Sequence, residues 1–368
     1  MLKEGQVRIP SGCAISGIID TSGLLFSGQD IINSIALMRE RSNGLGGGFA
    51  AYGIYPELAD KYALHVMFLD KYAQNSTEEV LRRFVDIRLS EPIPTRKHPG
   101  VTDIPFLWRY FVSPLKTDID PDDTIYSLIM KVNESIDGAY IFSSGKNMGV
   151  FKGVGYPEDL GEFYRLEEYS GHTWLAHGRF PTNTPGWWGG AHPFALLDIS
   201  VVHNGEVSSY GANRRYLESY GYHFGLKTDT EVIAYALHLL QRRHHLPWEL
   251  AASVLAPKTW EQIERLPEEE QELYAALRLV YGHLAMSGPF SILVGFDGGL
   301  LALNDRLKLR PMVVGRKGTR YYIASEEAAI RCIQPELDEL FYPRSSHPVL
   351  IRVGDNESVQ GIQEGKSA

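Results

Sequence analysis

Cys13 is the residue in this sequence best placed to do chemistry. It follows Gly12, opens the apolar run Ala14-Ile15-Ser16-Gly17-Ile18-Ile19, and is one of only two cysteines in 368 residues. A lone cysteine is ordinarily a small buried apolar side chain. The position suggests more. If the bond between Gly12 and Cys13 is cut, one residue carries both a thiol and a free α-amine. A thiol is a weak nucleophile until it loses its proton, and an α-amine with a pKa of about 7.7–8.0 is a base poised near neutral pH. Nucleophile and base on a single residue need no catalytic histidine.

Three later segments carry groups that would complement such a nucleophile. Arg179 lies in Gly178-Arg179-Phe180-Pro181-Thr182-Asn183-Thr184-Pro185-Gly186-Trp187-Trp188, a run that suits a loop and no regular element. Functional groups gather on such loops, and a guanidinium there can take a carboxylate bidentately. His203-Asn204-Gly205-Glu206 offers the Asn204 side-chain NH2 and the Gly205 backbone N–H to one oxyanion. Donors of that kind contribute about 2.7–4 kcal/mol where charge develops, although Asn-Gly is also an ordinary turn dipeptide. Asp229, in Lys227-Thr228-Asp229-Thr230, can hold an ammonium. A cation, an anion and two oxyanion donors around a thiol suit the amide of a small zwitterion, and glutamine is such a molecule.

The elements that must position these groups are legible in outline. Residues 1–12 are polar and aperiodic and read as a leader. Residues 13–19 form a short strand ended by Asp20-Thr21-Ser22-Gly23. Asp30 reads as the N-cap of a helix with Ile31, Ile35 and Met38 on one face, stopped at Asn43-Gly44. The spacing Gly46-x-Gly48-x-x-Ala51 follows a helix and not a strand, so it reads as a tight turn with close backbone packing. Residues 62–69 form a buried strand with His65 as a core histidine. The irregular stretch of about 86–170, with a helix near 125–136 and hairpin-like strands near 138–155, reads as an insertion or subdomain. A strand over 173–177 leads into the Arg179 loop, and a strand over 199–202 delivers His203 to Glu206 into a turn. Thr228 or Asp229 caps a helix over 231–240. Residues 248–284 are helical in period, 290–296 and 300–303 form a hairpin, and strands follow at 321–324 and 349–353.

Bulk properties narrow the class. The chain is 44% hydrophobic and 22% charged, an ordinary globular balance. A formal net charge of −9 argues against binding nucleic acid or anionic membranes. No apolar run approaches the ~20 residues of a membrane span, and there is no signal-peptide core. Two cysteines exclude a disulfide framework, and no Cys-x-x-Cys or His-Glu-x-x-His spacing marks a metal site. A soluble cytoplasmic protein without a metal is the expectation.

The ordered motifs Cys-x-Ile-x-Gly-Ile from Cys13, His-Gly-Arg-Phe-x-Thr-Asn-Thr from His177, His-Asn-Gly-Glu from His203 and Thr-Asp-Thr-Glu from Thr228 resemble class II glutamine amidotransferases. Members usually have glycine where this chain has Ala14. These are N-terminal-nucleophile hydrolases, so the resemblance implies an α+β fold: a four-layer αββα sandwich of two antiparallel sheets between helix layers. The domain would span 13–360, with the insertion at about 86–170 and a polar tail at 361–368. The wording around Pro185-Gly186-Trp187 and Asn204 is most similar to the amidotransferase part of glutamate synthase. The patterns Asn304-Asp305-Arg306, Leu309-Arg310-Pro311 and Ala324-Ser325-Glu326 are also similar to the family.

Carried over, the resemblance implies Cys13 as nucleophile and its freed α-amine as base, Asn204 and Gly205 as oxyanion hole, Arg179 and Asp229 as holders of the substrate carboxylate and ammonium, and Thr182 as a residue that orders the loop around glutamine. It further implies an ammonia-accepting synthase partner, with FMN and iron–sulfur centres on that partner and no cofactor on this chain. Two other readings stand beside it. One is a Cys–His amidohydrolase using His177 or His203. The other is a glutamine-binding regulatory subunit without turnover.

Overall fold

A computed structural model describes residues 12–116, 118–180 and 186–355. Two antiparallel sheets lie face to face. The first runs, in spatial order, Glu339–Phe341, Val313–Lys317, Arg320–Ala324, Ala14–Asp20, Thr173–Gly178, Gly47–Tyr52 and Met148–Gly153. The second runs Phe194–Leu196, Ile199–Gly205, Phe290–Phe296, Gly299–Asn304 and Val349–Arg352. Helices Gln29–Leu37, Pro157–Phe163 and Glu327–Arg331 cover the outer face of the first sheet, and Asp229–Leu237 covers the second. The fold is thus α+β, an αββα sandwich.

Burial from both sides explains why the central strands read as continuous apolar runs. Every residue of Ala14–Asp20 is buried. Its alternation sends Gly17 toward the second sheet, where a Cβ would lie 3.0 Å from Leu293 Cδ1 and 3.1 Å from Leu300 Cδ1. Ser16 points the opposite way and bonds Ser34 of the covering helix at 2.7 Å. Cys13, in phase with Ile15 and Gly17, therefore continues the face turned toward the second sheet.

A third sheet, Val85–Pro92, Phe106–Pro114, Tyr62–Phe68 and Ala139–Ser143, carries helices Lys71–Phe84 and Pro121–Ser135. The stretch expected as an insertion, about 86–170, overlaps this sheet without matching its bounds. The sheet begins at Tyr62, ahead of residue 86, and from Met148 onward the chain is back in the main sandwich. The buried run 62–68 looks the same in sequence whichever sheet it joins. Nor do the strands near 138–155 form a hairpin: Ala139–Ser143 pairs with Tyr62–Phe68, while Met148–Gly153 pairs with Gly47–Tyr52. Each completes a different sheet edge, which local pattern cannot reveal. His65 links the two, bonding Tyr55 Oη at 2.9 Å and the Val150 carbonyl at 2.8 Å.

Two smaller corrections concern element ends. The first helix starts at Gln29 with Gly28 at its cap, so Asp30 falls inside the first turn. A side chain at residue 28 would meet the Leu166 carbonyl at 2.5 Å and Trp174 at 2.8 Å, which fixes glycine there. The strand expected over 199–202 continues to Gly205, because Asn204 and Gly205 pair opposite Ser291 and Phe290. No helix among the described residues is long and apolar enough to cross a membrane.

Candidate active site

The loop ends that gather at one edge of the intersheet seam bring Cys13, Arg179, Asn204, Gly205 and Asp229 together. Cys13 lies just before the first strand, and Arg179 just after the strand Thr173–Gly178 that pairs with it, Ala14 opposite Gly178. The Phe180 N–H donates to Cys13 Sγ at 3.4 Å. Burial pushes the Cys13 thiol up, opposed by that N–H and by the nearby Arg179 guanidinium. Asp229 and Arg310 are also close enough to act on it, in opposite senses. A thiol held protonated in this way needs a base to become a nucleophile.

Asn204 is fully buried at the end of its strand. Its Nδ2 donates to Ser325 Oγ at 3.3 Å, and that same Oγ accepts the Ile15 N–H at 3.1 Å. Asn204 Oδ1 is buried without a partner among the described residues and lies toward Gly12, 4.0 Å from where a Cβ on that residue would be. Gly205 has φ +148°, and a Cβ there would fall 2.0 Å from the Pro289 carbonyl oxygen. Only glycine fits so close an approach between the two backbones.

Asp229 is the first residue of Asp229–Leu237, whose cap Thr228 accepts the Glu231 N–H. Its Oδ2 accepts the Val207 N–H at 3.0 Å, and its Oδ1 lies 3.6 Å from His203 Nδ1. Burial works against its charge, but His203, the Val207 N–H and the Thr230 hydroxyl outweigh it and hold the carboxyl below its ordinary range. Arg179 is 4% exposed; burial disfavours its charge, and Cys13 and Asp229 act the other way. Thr182 lies outside the described residues.

Beneath Asp229 is a buried polar cluster. Thr230 Oγ1 lies 2.6 Å from His192 Nε2 and 3.2 Å from His203 Nδ1, and His177 stacks on His192 with ring centres 3.9 Å apart. Burial drives His177 down to about 3, so it is neutral at physiological pH. His177 Nε2 is engaged by the His203 carbonyl at 2.9 Å. Neither the His177 nor the His203 imidazole bonds the Cys13 sulfur, whose partners among the described residues are the Phe180 main-chain groups. Among the described residues no three His, Cys, Asp or Glu side chains gather as metal ligands.

Several residues of the site carried no role in the sequence reading. Arg41, between Met38 and the Asn43-Gly44 stop, donates from Nε to the Cys13 carbonyl at 3.1 Å and pairs with Glu326 at 2.9 Å. Ser325 and Arg310 stood only as members of family-like patterns. The signal for Lys152 was a lysine inside a run of apolar and small residues. It is buried, donates to the Gly189 carbonyl at 3.2 Å, sits 4.3 Å over the Phe194 ring, and is pushed down to about 7 by burial. Gly189 belongs to the same turn as Gly190, where a Cβ would lie 3.2 Å from Arg179 Nη1. Lys152 thus braces the wall behind the arginine.

Comparison with known proteins gives this constellation a family. Residues 105–230, which hold Arg179, Asn204, Gly205 and Asp229, match the family described as glutamine amidotransferases class-II. An uncharacterized protein of Archaeoglobus fulgidus is 49% identical over 352 residues, 94% of this chain and 93% of its own length. A putative glutamine amidotransferase of Methanothermobacter thermautotrophicus is 26% identical over 324 residues, 87% of this chain and 93% of its own. An amidophosphoribosyltransferase of Methanocaldococcus jannaschii is 27% identical over 239 residues, 64% of this chain and 44% of that longer protein. The family match spans the segment that holds the arginine, the asparagine and the aspartate, so residues 105–230 belong to the class-II glutamine amidotransferases.

Proposed function

We propose that the chain hydrolyses the side-chain amide of L-glutamine through a γ-glutamyl thioester on Cys13 and passes the ammonia to a partner synthase. The observation that carries this reading is the gathering of these groups at one thiol: the Phe180 N–H, next to Arg179, donates to the Cys13 sulfur, Asn204 shares the Ser325 hydroxyl with Ile15 of the strand that follows Cys13, and Asp229 is held by the Val207 N–H just past Gly205. Arg179 takes the substrate α-carboxylate and Asp229 the α-ammonium, which leaves the side-chain amide directed at the sulfur.

The base is the α-amine of Cys13, freed by removal of residues 1–12. It accepts the thiol proton as sulfur attacks the δ-carbon. Negative charge builds on the amide oxygen and is met by the Gly205 N–H and the Asn204 side chain. A half-turn of the Asn204 amide suits this role. Ser325 Oγ already accepts from Ile15, so its own hydrogen can pass to Oδ1, which leaves the NH2 on the side of Gly12, the neighbour of Cys13. Collapse of the adduct breaks the C–N bond, and the α-ammonium returns its proton to the departing ammonia. Water then adds to the thioester carbonyl, giving glutamate and restoring the thiol.

The likeness of the Pro185 and Asn204 segments to glutamate synthase points to 2-oxoglutarate as acceptor, reduced and aminated on a separate polypeptide. Two experiments separate these levels. Purified protein beginning at Cys13 should release equal amounts of glutamate and ammonia from glutamine, and Cys13→Ala should not. Glutamine-dependent glutamate formation from 2-oxoglutarate, with the partner added, tests the acceptor; transfer to another acceptor would replace that assignment and keep the glutaminase.

A further inference from the structure

A second concavity lies apart from the Cys13 centre, between helix Glu268–Tyr281, helix Trp260–Glu264 and the turn that follows the oxyanion strand. It encloses about 400 Å³, and its lining includes Arg278, Arg306, His283, Ser209, Ser287 and Trp260. Among the described residues no aspartate or glutamate lines it. That is unusual on a chain of net charge −9. Most arginines of this molecule sit against carboxylates, but among the described residues neither Arg278 nor Arg306 has one within ion-pair distance. Arg278 is instead anchored by the Lys258 carbonyl at 2.9 Å and the Trp260 ring at 4.0 Å. Arg306 is near enough to repel it. Two arginines in the lining of one cavity without a counter-charge make a receptor for an anion.

The walls of this cavity are tied to the active site on two sides. Ser208 donates to the Ser287 carbonyl from both N (2.7 Å) and Oγ (3.0 Å), and Ser287 N donates to Ser209 Oγ at 3.0 Å. The adjacent Val207 N–H is the one that holds Asp229. On the other side, Asp305 binds the Phe290 N–H at 3.1 Å, and Phe290 pairs with Gly205.

We propose that this cavity is a second ligand site for a small dianion, a phosphate monoester or a dicarboxylate, and that its occupancy is felt at the glutaminase centre. The binding half stands on the cavity alone; the coupling half rests on the function proposed above.

Calorimetric titration of the full chain with inorganic phosphate and, separately, succinate tests it without any substrate present. Saturable binding of at least one is expected in the millimolar range or tighter, weakened at least about tenfold in Arg306→Gln and Arg278→Gln, each of which removes a charge-assisted contact. Arg306→Lys should keep measurable affinity, and Arg88→Gln, at an exposed position of the third sheet, should match the parent. Phosphate without succinate assigns the phosphate class, and the reverse assigns the dicarboxylates. Binding of neither, or undiminished binding in both glutamine variants, overturns the site; the former leaves the cavity as a seat for an acidic side chain of a partner. Saturating anion should then change kcat or KM for glutamine in the parent and not in Arg306→Gln. An unchanged active enzyme refutes the coupling, whereas binding by a protein with no glutaminase activity refutes the functional reading instead.

Discussion

The two ends of the seam between the main sheets are built on opposite rules. At the far end and middle, Gly17, Leu175, Leu293 and Leu300 pack closely, Gly17 and Gly295 let the sheets approach, and the Tyr52 hydroxyl beside Gly295 is bonded to Ser200 Oγ and the Asp198 carbonyl. Around the end where Cys13 lies, polar side chains gather instead: His177, Lys152 and Asn204 on the strands, His192 on a loop, and His203 and Thr230 where the second sheet meets its covering helix, all buried. Burial of so many polar groups costs stability unless each is hydrogen-bonded. Here some are not: His177 Nδ1, His192 Nδ1, His203 Nε2 and Asn204 Oδ1 have no partner among the described residues. The difference teaches where the fold spends order on chemistry: one end holds the sheets together, and the other holds a carboxylate, a guanidinium and an amide in fixed positions around a thiol.

Substitutions should separate the two ends cleanly. The largest effect is expected from Cys13→Ala, which should abolish ammonia release by at least ~10³-fold in a glutamine assay while leaving the melting temperature near that of the parent. Next, Asp229→Asn and Arg179→Lys should each lower kcat/KM by roughly 10²-fold, because the proposed function makes each one a charged grip on the substrate α-carbon. Thr230→Val removes the hydroxyl shared by His192, His203 and Asp229. It should act as a positioning change, raising KM for glutamine more than it lowers kcat. At the dry end the order reverses. Gly17→Val should cost about 1–3 kcal/mol in urea unfolding, since its side chain meets two leucines, yet the folded fraction should keep its glutaminase rate. Equal loss of activity per folded molecule in Gly17→Val and Thr230→Val would erase the distinction.

The smallest effect is one of pH. His177 is pushed down to about 3 from an ordinary value near 6.5. Because its folded value is the lower one, the unfolded chain takes the proton first on acidification. Its contribution is therefore complete above pH 6.5 and is lost as pH falls toward 3. Unfolding at pH 7 and pH 4.5 should show a smaller loss for His177→Gln than for the parent.

What could be read from sequence followed from how local each feature is. The strand at 14–20, the Asn304 hairpin and the helix that opens at Asp229 rest on short-range pattern and capping, and all three stand within a residue or two of where the pattern puts them. Cys13, Arg179, Asn204 and Asp229 were recognisable as a set through the order of their motifs, although nothing in their spacing brings residues 13 and 229 together. Sheet membership was beyond reach for 62–68 and 139–143, because pairing across 70 or more residues leaves no local trace. Arg41 was equally invisible: an arginine at a helix end looks solvent-exposed until the Cys13 carbonyl turns out to be its partner.

The central claim is that one residue supplies both sulfur and base. Acid quenching of the enzyme during glutamine turnover, followed by peptide mapping by mass spectrometry, addresses it directly. The account predicts a trapped γ-glutamyl group on a peptide whose first residue is Cys13. Full turnover by a chain in which Gly12 is still joined to Cys13, or a glutamyl adduct on any other residue, would contradict it.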